Sequence, residues 1–320
     1  MDRRTFLGAG AAAALTLPRS ADAAGIPIID THIHLFDVSR PQGVPWPPKN
    51  NAVLYHTALP DRYRRIAVPL GITGAIEVEA SPWLEDNQWV LDVAAKDTII
   101  VGTVGDLEPG KPDFRKQLDR FRRNPLFRGI RYGNLWDRNL GTELARPEFV
   151  SDLKALADAD LELDSANPTP ALLADILRVT DRVPNLRVVI DHLAGMAQPA
   201  DEAERRKVLA TQRELANRPH VWVKVSAVLH RVNGRTVDDP AVYRPRLDEI
   251  WDIFGEDRLL YASDWPNSDQ IGEYPQVLKV VRDYFTAKGP AVAEKFFWKN
   301  SVAAYRWVKR EPGQPQLPKS

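Results

Sequence analysis

The stretch Ile26-Pro27-Ile28-Ile29-Asp30-Thr31-His32-Ile33-His34 sets the reading of the whole chain. Apolar, β-branched residues give way to a cluster of titratable ones. A buried strand that ends at a chemically active rim has this pattern. Comparable runs follow at Ile72–Ala80, Thr98–Val104, Phe127–Tyr132, Leu161–Ser165, Leu186–His192, Val221–Ser226 and Arg258–Asp264. With Ile26–His32 they make eight predicted strands. Beyond a long first connection, successive runs lie about 30 residues apart, the length of one strand–helix unit. Apolar periodicity predicts helices over Pro112–Asn124, Pro147–Ala159, Thr169–Arg182, Asp201–Asn217, Val242–Phe254, Tyr274–Lys288 and Ala291–Arg306. This alternation predicts an α/β fold, a single-domain (β/α)8 TIM barrel. A doubly wound open sheet is the alternative, but no Gly-rich phosphate or dinucleotide loop follows any strand.

The connection over 35–70 places Pro41, Pro45, Pro47 and Pro48 around Trp46. It is too irregular for a helix and too long for a simple turn, so it is expected to act as a lid or pocket wall. Residues 229–243 form a second excursion. The Pro-rich tail 311–320 is expected to be loose. At the other end, Arg3-Arg4-Thr5-Phe6-Leu7, a short small-residue apolar run and Ala21-Asp22-Ala23 resemble a twin-arginine signal over 1–23, with the barrel domain spanning 24–310. This pattern implies export by the twin-arginine machinery to the periplasm or medium, with no membrane association after cleavage.

Composition narrows the function. The chain has 320 residues, with 43 Lys+Arg against 43 Asp+Glu, and this balance argues against nucleic acid or an anionic membrane as a partner. It has no cysteine, which excludes disulfides, thiolate metal sites and cysteine nucleophiles. A small-molecule substrate remains.

In a barrel, chemistry sits where strands end. His32 and His34 end the first strand, Glu79 the second and Arg131 the fourth. Asp164 lies on the fifth, Asp191-His192 end the sixth and Asp264 the eighth. Two imidazoles two residues apart face one side of a strand, where they can hold a divalent metal or polarise a carbonyl. In a closed barrel Asp264 lies beside them, able to ligate a metal or take a proton from water. Arg128 and Arg131 face opposite sides, and whichever faces the mouth can grip a carboxylate or carbonyl. Trp83, Trp136 and Trp265 are candidates for stacking on a ring. His230 is a candidate pocket residue, His56 a weaker one, and His220 starts a strand and reads as structural.

The residues Asp30-Thr31-His32-Ile33-His34, Val78-Glu79-Ala80, Phe127-Arg128-Gly129-Ile130-Arg131, Ile190-Asp191-His192-Leu193-Ala194-Gly195, Ser263-Asp264-Trp265-Pro266 and Phe297-Trp298-Lys299-Asn300-Ser301 resemble the amidohydrolase-2 family of metal-dependent TIM-barrel hydrolases. The closer likeness is to the branch of sugar lactonases and 2-pyrone-4,6-dicarboxylate lactonase. The resemblance covers about residues 26–306. It implies that His32, His34, His192 and Asp264 form the site. It implies hydrolysis of a lactone or related cyclic ester or amide, with Asp264 as general base and the histidines polarising the carbonyl. They would do so directly or through one divalent ion, zinc or manganese, held by His32, His34 and Asp264 with or without His192. Arg131, Glu79, Trp83, Asp164, Trp265 and His230 would then bind substrate. The fifth strand lacks the histidine of the family's zinc decarboxylases, and Arg131 stands where binuclear members place a carboxylated Lys or a Glu. A nonoxidative decarboxylase and a non-catalytic periplasmic binding protein are the alternatives.

Overall fold

The computed structural model describes residues 25–195, 198–237 and 239–318. The twin-arginine and cleavage motifs lie outside the described residues. Eight parallel strands form one sheet in chain order: β1 (Ile28–Ile33), β2 (Ile72–Val78), β3 (Ile100–Gly105), β4 (Phe127–Gly133), β5 (Glu162–Ala166), β6 (Arg187–Ile190), β7 (Val221–Val225) and, after a two-stranded hairpin of β8 (Arg231–Val232) and β9 (Arg235–Thr236), β10 (Leu259–Tyr261). The chain just past β10 returns to β1. Asp264 N–H donates to the His32 carbonyl (2.9 Å), and His34 N–H donates to the Trp265 carbonyl (2.8 Å). The (β/α)8 barrel therefore closes through the residues expected to do chemistry.

Helices cover the outside: α1 (Pro60–Ala67), α2 (Leu84–Lys96), α3 (Phe114–Phe121), α4 (Leu140–Glu143), α5 (Pro147–Asp158), α6 (Pro170–Arg182), α7 (Glu202–Ala216), α8 (Arg244–Phe254), α9 (Tyr274–Ala287), α10 (Pro290–Glu294) and α11 (Asn300–Tyr305). Their starts follow local chemistry. Thr169 and Asp201 cap α6 and α7 through their side chains, and proline opens α1, α5 and α6. No helix among the described residues is long and apolar enough to cross a membrane.

Four details differ from the sequence reading. The first connection is not irregular throughout, because α1 and a short 3-10 turn end it. Helix α2 was not expected. The helix predicted over Ala291–Arg306 is split by a π turn at Lys295–Lys299, whose aromatic residues Phe296, Phe297 and Trp298 are all buried. The start of the tail is held in place. Arg310 donates to the carbonyls of Asp97 (2.8 Å) and Ile100 (2.9 Å), and Gln314, only 1% exposed, donates to that of Thr98 (2.8 Å).

The barrel interior holds Ile29, Ile76, Val101, Val189, Trp222 and Leu260 in one apolar cluster with Trp298, Tyr305 and Trp307 of the C-terminal segment. Above this apolar layer the inward positions turn polar.

Candidate active site

The polar layer starts at Lys224. This lysine stands two residues from Trp222 on β7 and so shares its inward face. Solvent does not reach it. It ion-pairs with Asp164 and with Asp191 Oδ1 (3.0 Å), and its Nζ lies 3.2 Å from His32 Nδ1. Burial alone would strip its proton, but the two carboxylates reverse that and raise its affinity for it. Asp191 is desolvated too, yet Lys224, His32 and Arg131 hold its carboxyl well below the ordinary range. Tyr305 donates to Asp164 from below (2.8 Å). Glu162, one inward position deeper on β5, is pushed well up by burial and by Asp164.

Above Lys224 stand the histidines and Asp264. His34 Nδ1 lies 2.8 Å from the Val78 carbonyl, which can only accept, so Nδ1 carries a proton and the ring turns Nε2 toward the other site residues. That Nε2 lies 3.2 Å from His32 Nε2 and 3.3 Å from Asp264 Oδ1. His192 Nδ1 meets Ser226 Oγ at 2.9 Å, and its ring stacks on His32 with centroids 5.2 Å apart. Burial lowers the proton affinity of His32 strongly, with Lys224 reinforcing it, and lowers that of His192. Burial thus favours the neutral rings, against the carboxylates of Asp191 and Asp264, which favour the charged ones. Asp264 behaves in the opposite way. Burial opposes its charge, but the imidazoles of His192, His34 and His32 around it hold it well below the ordinary range. Asn267 donates to its Oδ2 (2.8 Å), while its buried Oδ1 has no hydrogen-bond partner.

Donor atoms of His32, His192 and Asp264 lie within 4.8 Å of one another. Neutral imidazoles, an ionised carboxylate and an orphaned Oδ1 form a donor set that suits one divalent ion.

A cleft of about 500 Å³ opens over this group, lined by His34, Trp46, Glu79, Arg131, Trp136, Asn167, His192, Asp264 and Asn267. Arg131 is the arginine that faces it, held by two bonds to Asp191 Oδ2 (2.8 and 3.1 Å). Arg128 turns away to the Arg306 carbonyl (2.9 Å). Trp136 Nε1 donates to Glu79 Oε2 (3.1 Å). Burial raises the Glu79 carboxyl to about 8 against the opposing field of Arg131, so it is largely protonated at neutral pH. Trp46, from the long first connection, meets His34 edge-on at 5.3 Å and walls one side.

Several residues predicted to bind substrate lie elsewhere. Asp164 is beneath the floor with Lys224. Trp265 has no exposure and packs on Tyr63 (5.2 Å) behind the rim. Trp83 is 38% exposed just before α2 and does not line the cleft. His230 is exposed, stacks edge-on against Tyr243 (5.1 Å) and lines a neighbouring arm of the mouth. His56, in the long connection, is exposed and lines neither cavity at the mouth.

A family model for amidohydrolases matches residues 29–307. The chain belongs to the amidohydrolase family. It is an amidohydrolase-family hydrolase. The chain is similar to an L-fucono-1,5-lactonase from Burkholderia ambifaria, 29% identical over 77% of this chain and 82% of the relative. It is also similar to an L-fucono-1,5-lactonase from Burkholderia multivorans, 24% identical over 90% of this chain and 98% of the relative. Its fold matches an amidohydrolase from Burkholderia multivorans solved with bound zinc, with a TM-score of 0.76, 22% identity and coverage of 88% and 99%.

In this amidohydrolase, the rim is also where the backbone departs from ordinary geometry. Non-glycine residues with positive φ follow five of the eight barrel strands: Trp136 and Asp137 after β4, Asn167 after β5, His192–Ala194 after β6, Ala227 after β7 and Asp264 (61°) after β10. Such conformations cost energy and are kept where a side chain must be aimed. Sequence reasoning missed Lys224 and Asn167. For Lys224 a signal existed: a single charge within Val221-Trp222-Val223-Lys224-Val225, otherwise apolar, at an inward position.

Proposed function

We propose that this amidohydrolase opens a sugar lactone or related cyclic ester with water, and that Asp264 is the general base. One observation carries the reading. Asp264 Oδ1, buried without a hydrogen-bond partner, lies 3.3 Å from His34 Nε2 and 3.6 Å from His32 Nε2 under a cleft that ends in Arg131 and Glu79. A buried carboxylate oxygen left without a donor is open to a water or a cation from the cleft. The relatives named as L-fucono-1,5-lactonases support the choice of a lactone.

Asp264 accepts a proton from the attacking water as its oxygen bonds to the ester carbon. Asn267 fixes the carboxylate so that Oδ1 faces the cleft. When the ring C–O bond breaks, protonated Asp264 returns that proton to the departing ring oxygen. The product is an open-chain hydroxy acid, which ionises and releases one proton. Arg131 and the protonated Glu79 supply donors to ring hydroxyls or the carbonyl, in a site that excludes most water. Lys224 and Asp191 fix the His32 ring from below. A divalent ion held by His32, His192 and Asp264, with His34 adjacent, would supply Lewis acidity, polarising the ester carbonyl and lowering the pKa of water.

The test is proton release from five- and six-membered aldonolactones at constant pH, before and after chelation, with metal content measured in parallel. Release from at least one aldonolactone is expected. No release from any, in metal-supplemented folded protein, contradicts the reading.

We also propose export by the twin-arginine route, on the strength of Arg3-Arg4 and Ala21-Asp22-Ala23. Replacing both arginines by lysine should leave the protein in the cytoplasm. Wild-type protein found only there contradicts export.

A further inference from the structure

The barrel mouth divides at Asp264 and Asn267. One arm is the cleft above. The other holds about 1230 Å³ of empty volume between the loop after β7, the segment after Asp264 and Val53 of the long first connection. The proposed hydrolysis makes no use of this second arm. Its walls set an apolar patch of Val53, Val228, Leu229 and Ile271 beside the polar His230 and Gln270. Ser268 Oγ, on the same wall, is buried with no hydrogen-bond partner. Arg231 stands exposed at the arm and donates to the Gln270 carbonyl (2.8 Å). Among the described residues it has no acidic partner, and no carboxylate lines the arm except Asp264 at its inner end.

A monosaccharide lactone is small enough for the first cleft alone, since pockets of a few hundred Å³ suit whole drug-sized ligands. The patch of Val53, Val228, Leu229 and Ile271 does not suit more sugar hydroxyls, whose desolvation it would not repay. It suits a hydrocarbon or aryl group, which gains by leaving water. The unpaired guanidinium beyond suits a negative charge.

We infer that this arm is a second subsite, and that the substrate is a lactone carrying an apolar substituent with an acidic group at its far end. The inference takes the lactone ring from the function proposed above and adds what lies beyond the ring.

Three probes separate the parts: δ-valerolactone, its phenyl-substituted form and its carboxyphenyl-substituted form. Hydrolysis of each is measured, and calorimetry gives the affinities of the corresponding open-chain hydroxy acids. The carboxyphenyl lactone should exceed δ-valerolactone at least tenfold in kcat/KM, with the phenyl lactone between them. The hydroxy acids should rank in the same order of affinity. Val53, 49% exposed, can be enlarged without stressing the core. V53W should cut the carboxyphenyl-to-unsubstituted ratio at least tenfold, and R231Q should remove the step between carboxyphenyl and phenyl. Equal kcat/KM for the three lactones, or a V53W effect of the same factor on all three, overturns the subsite and leaves the lactonase reading intact. No hydrolysis of these three lactones or of any aldonolactone, with the predicted order of hydroxy-acid affinities and its loss in V53W, supports the subsite and overturns the lactonase reading.

Discussion

Lys224 keeps its charge inside the barrel because Asp164 and Asp191 flank it, and the three form a rigid base under His32. Removing one partner of such a buried set strands the others. Lys224→Met should therefore lower unfolding free energy by about 3–5 kcal/mol, read by chemical denaturation. A change below about 1 kcal/mol would mean the trio is not the support described. Glu79 makes a different prediction. Its carboxyl is raised by burial from the ordinary 4.5 to about 8. The folded protein thus keeps a proton that the unfolded chain gives up above about pH 4.5. The stabilisation is whole below 4.5 and is lost as pH rises towards 8, by at most about 1.4 kcal/mol per unit. Glu79→Gln should flatten the fall in stability between pH 5 and 8, and an unchanged slope contradicts the assignment. At this scale the sequence was partly legible. His32, His34, His192 and Asp264 stand at strand ends, where position alone marks them. Asp164 lies within β5, a layer below the rim, and meets a buried lysine there, while Trp265 follows the left-handed Asp264 and turns to a tyrosine, a direction that spacing does not write. The register slips between Asp30 and Ile33 on β1, and Asp264 has positive φ.

Among the elements, the end of β1 depends on Asp30. Its carboxylate accepts from Tyr63 of α1 (2.9 Å), Tyr274 of α9 (2.9 Å), Ser263 N–H (2.9 Å) and His32 N–H (3.2 Å). One buried side chain thereby ties two helices and the start of the Asp264 segment to the His32–His34 strand end. Tyr63→Phe and Tyr274→Phe should each cost about 1–2 kcal/mol in thermal or chemical unfolding. If both cost nothing, Asp30 is not the tie described. Helix α1 was hidden from the sequence for a physical reason. It has eight residues, of which Pro60, Tyr63 and Ala67 are buried, so its apolar signal is too sparse to stand out beside the prolines upstream. The long helices α6 and α9 were plain because each buries a full stripe.

For the molecule as a whole, the barrel closes at both ends by different means. At the rim the catalytic segments bond to each other, with His34 N–H on the Trp265 carbonyl and Asp264 N–H on that of His32. At the floor the C-terminal segment inserts Trp298, Tyr305 and Trp307 against the interior cluster. Ending the chain at Phe297 uncovers Trp222, Leu260 and Ile29, and should abolish cooperative unfolding in calorimetry. A truncated chain with a normal transition would show the plug to be dispensable. The eight-strand order was legible because short runs rich in apolar, β-branched residues recur at the spacing of a strand–helix unit, most with a polar end. The anchored start of the tail was not, because Arg310 and Gln314 hold it through backbone carbonyls that no composition reveals. The account rests on Asp264 acting as base at that closed rim. Its most direct test is the rate of proton release from an aldonolactone by wild type and by Asp264→Asn, each checked for an unchanged fold by circular dichroism. A loss of about 10²–10⁴ in kcat is predicted for the variant. Equal rates would contradict it.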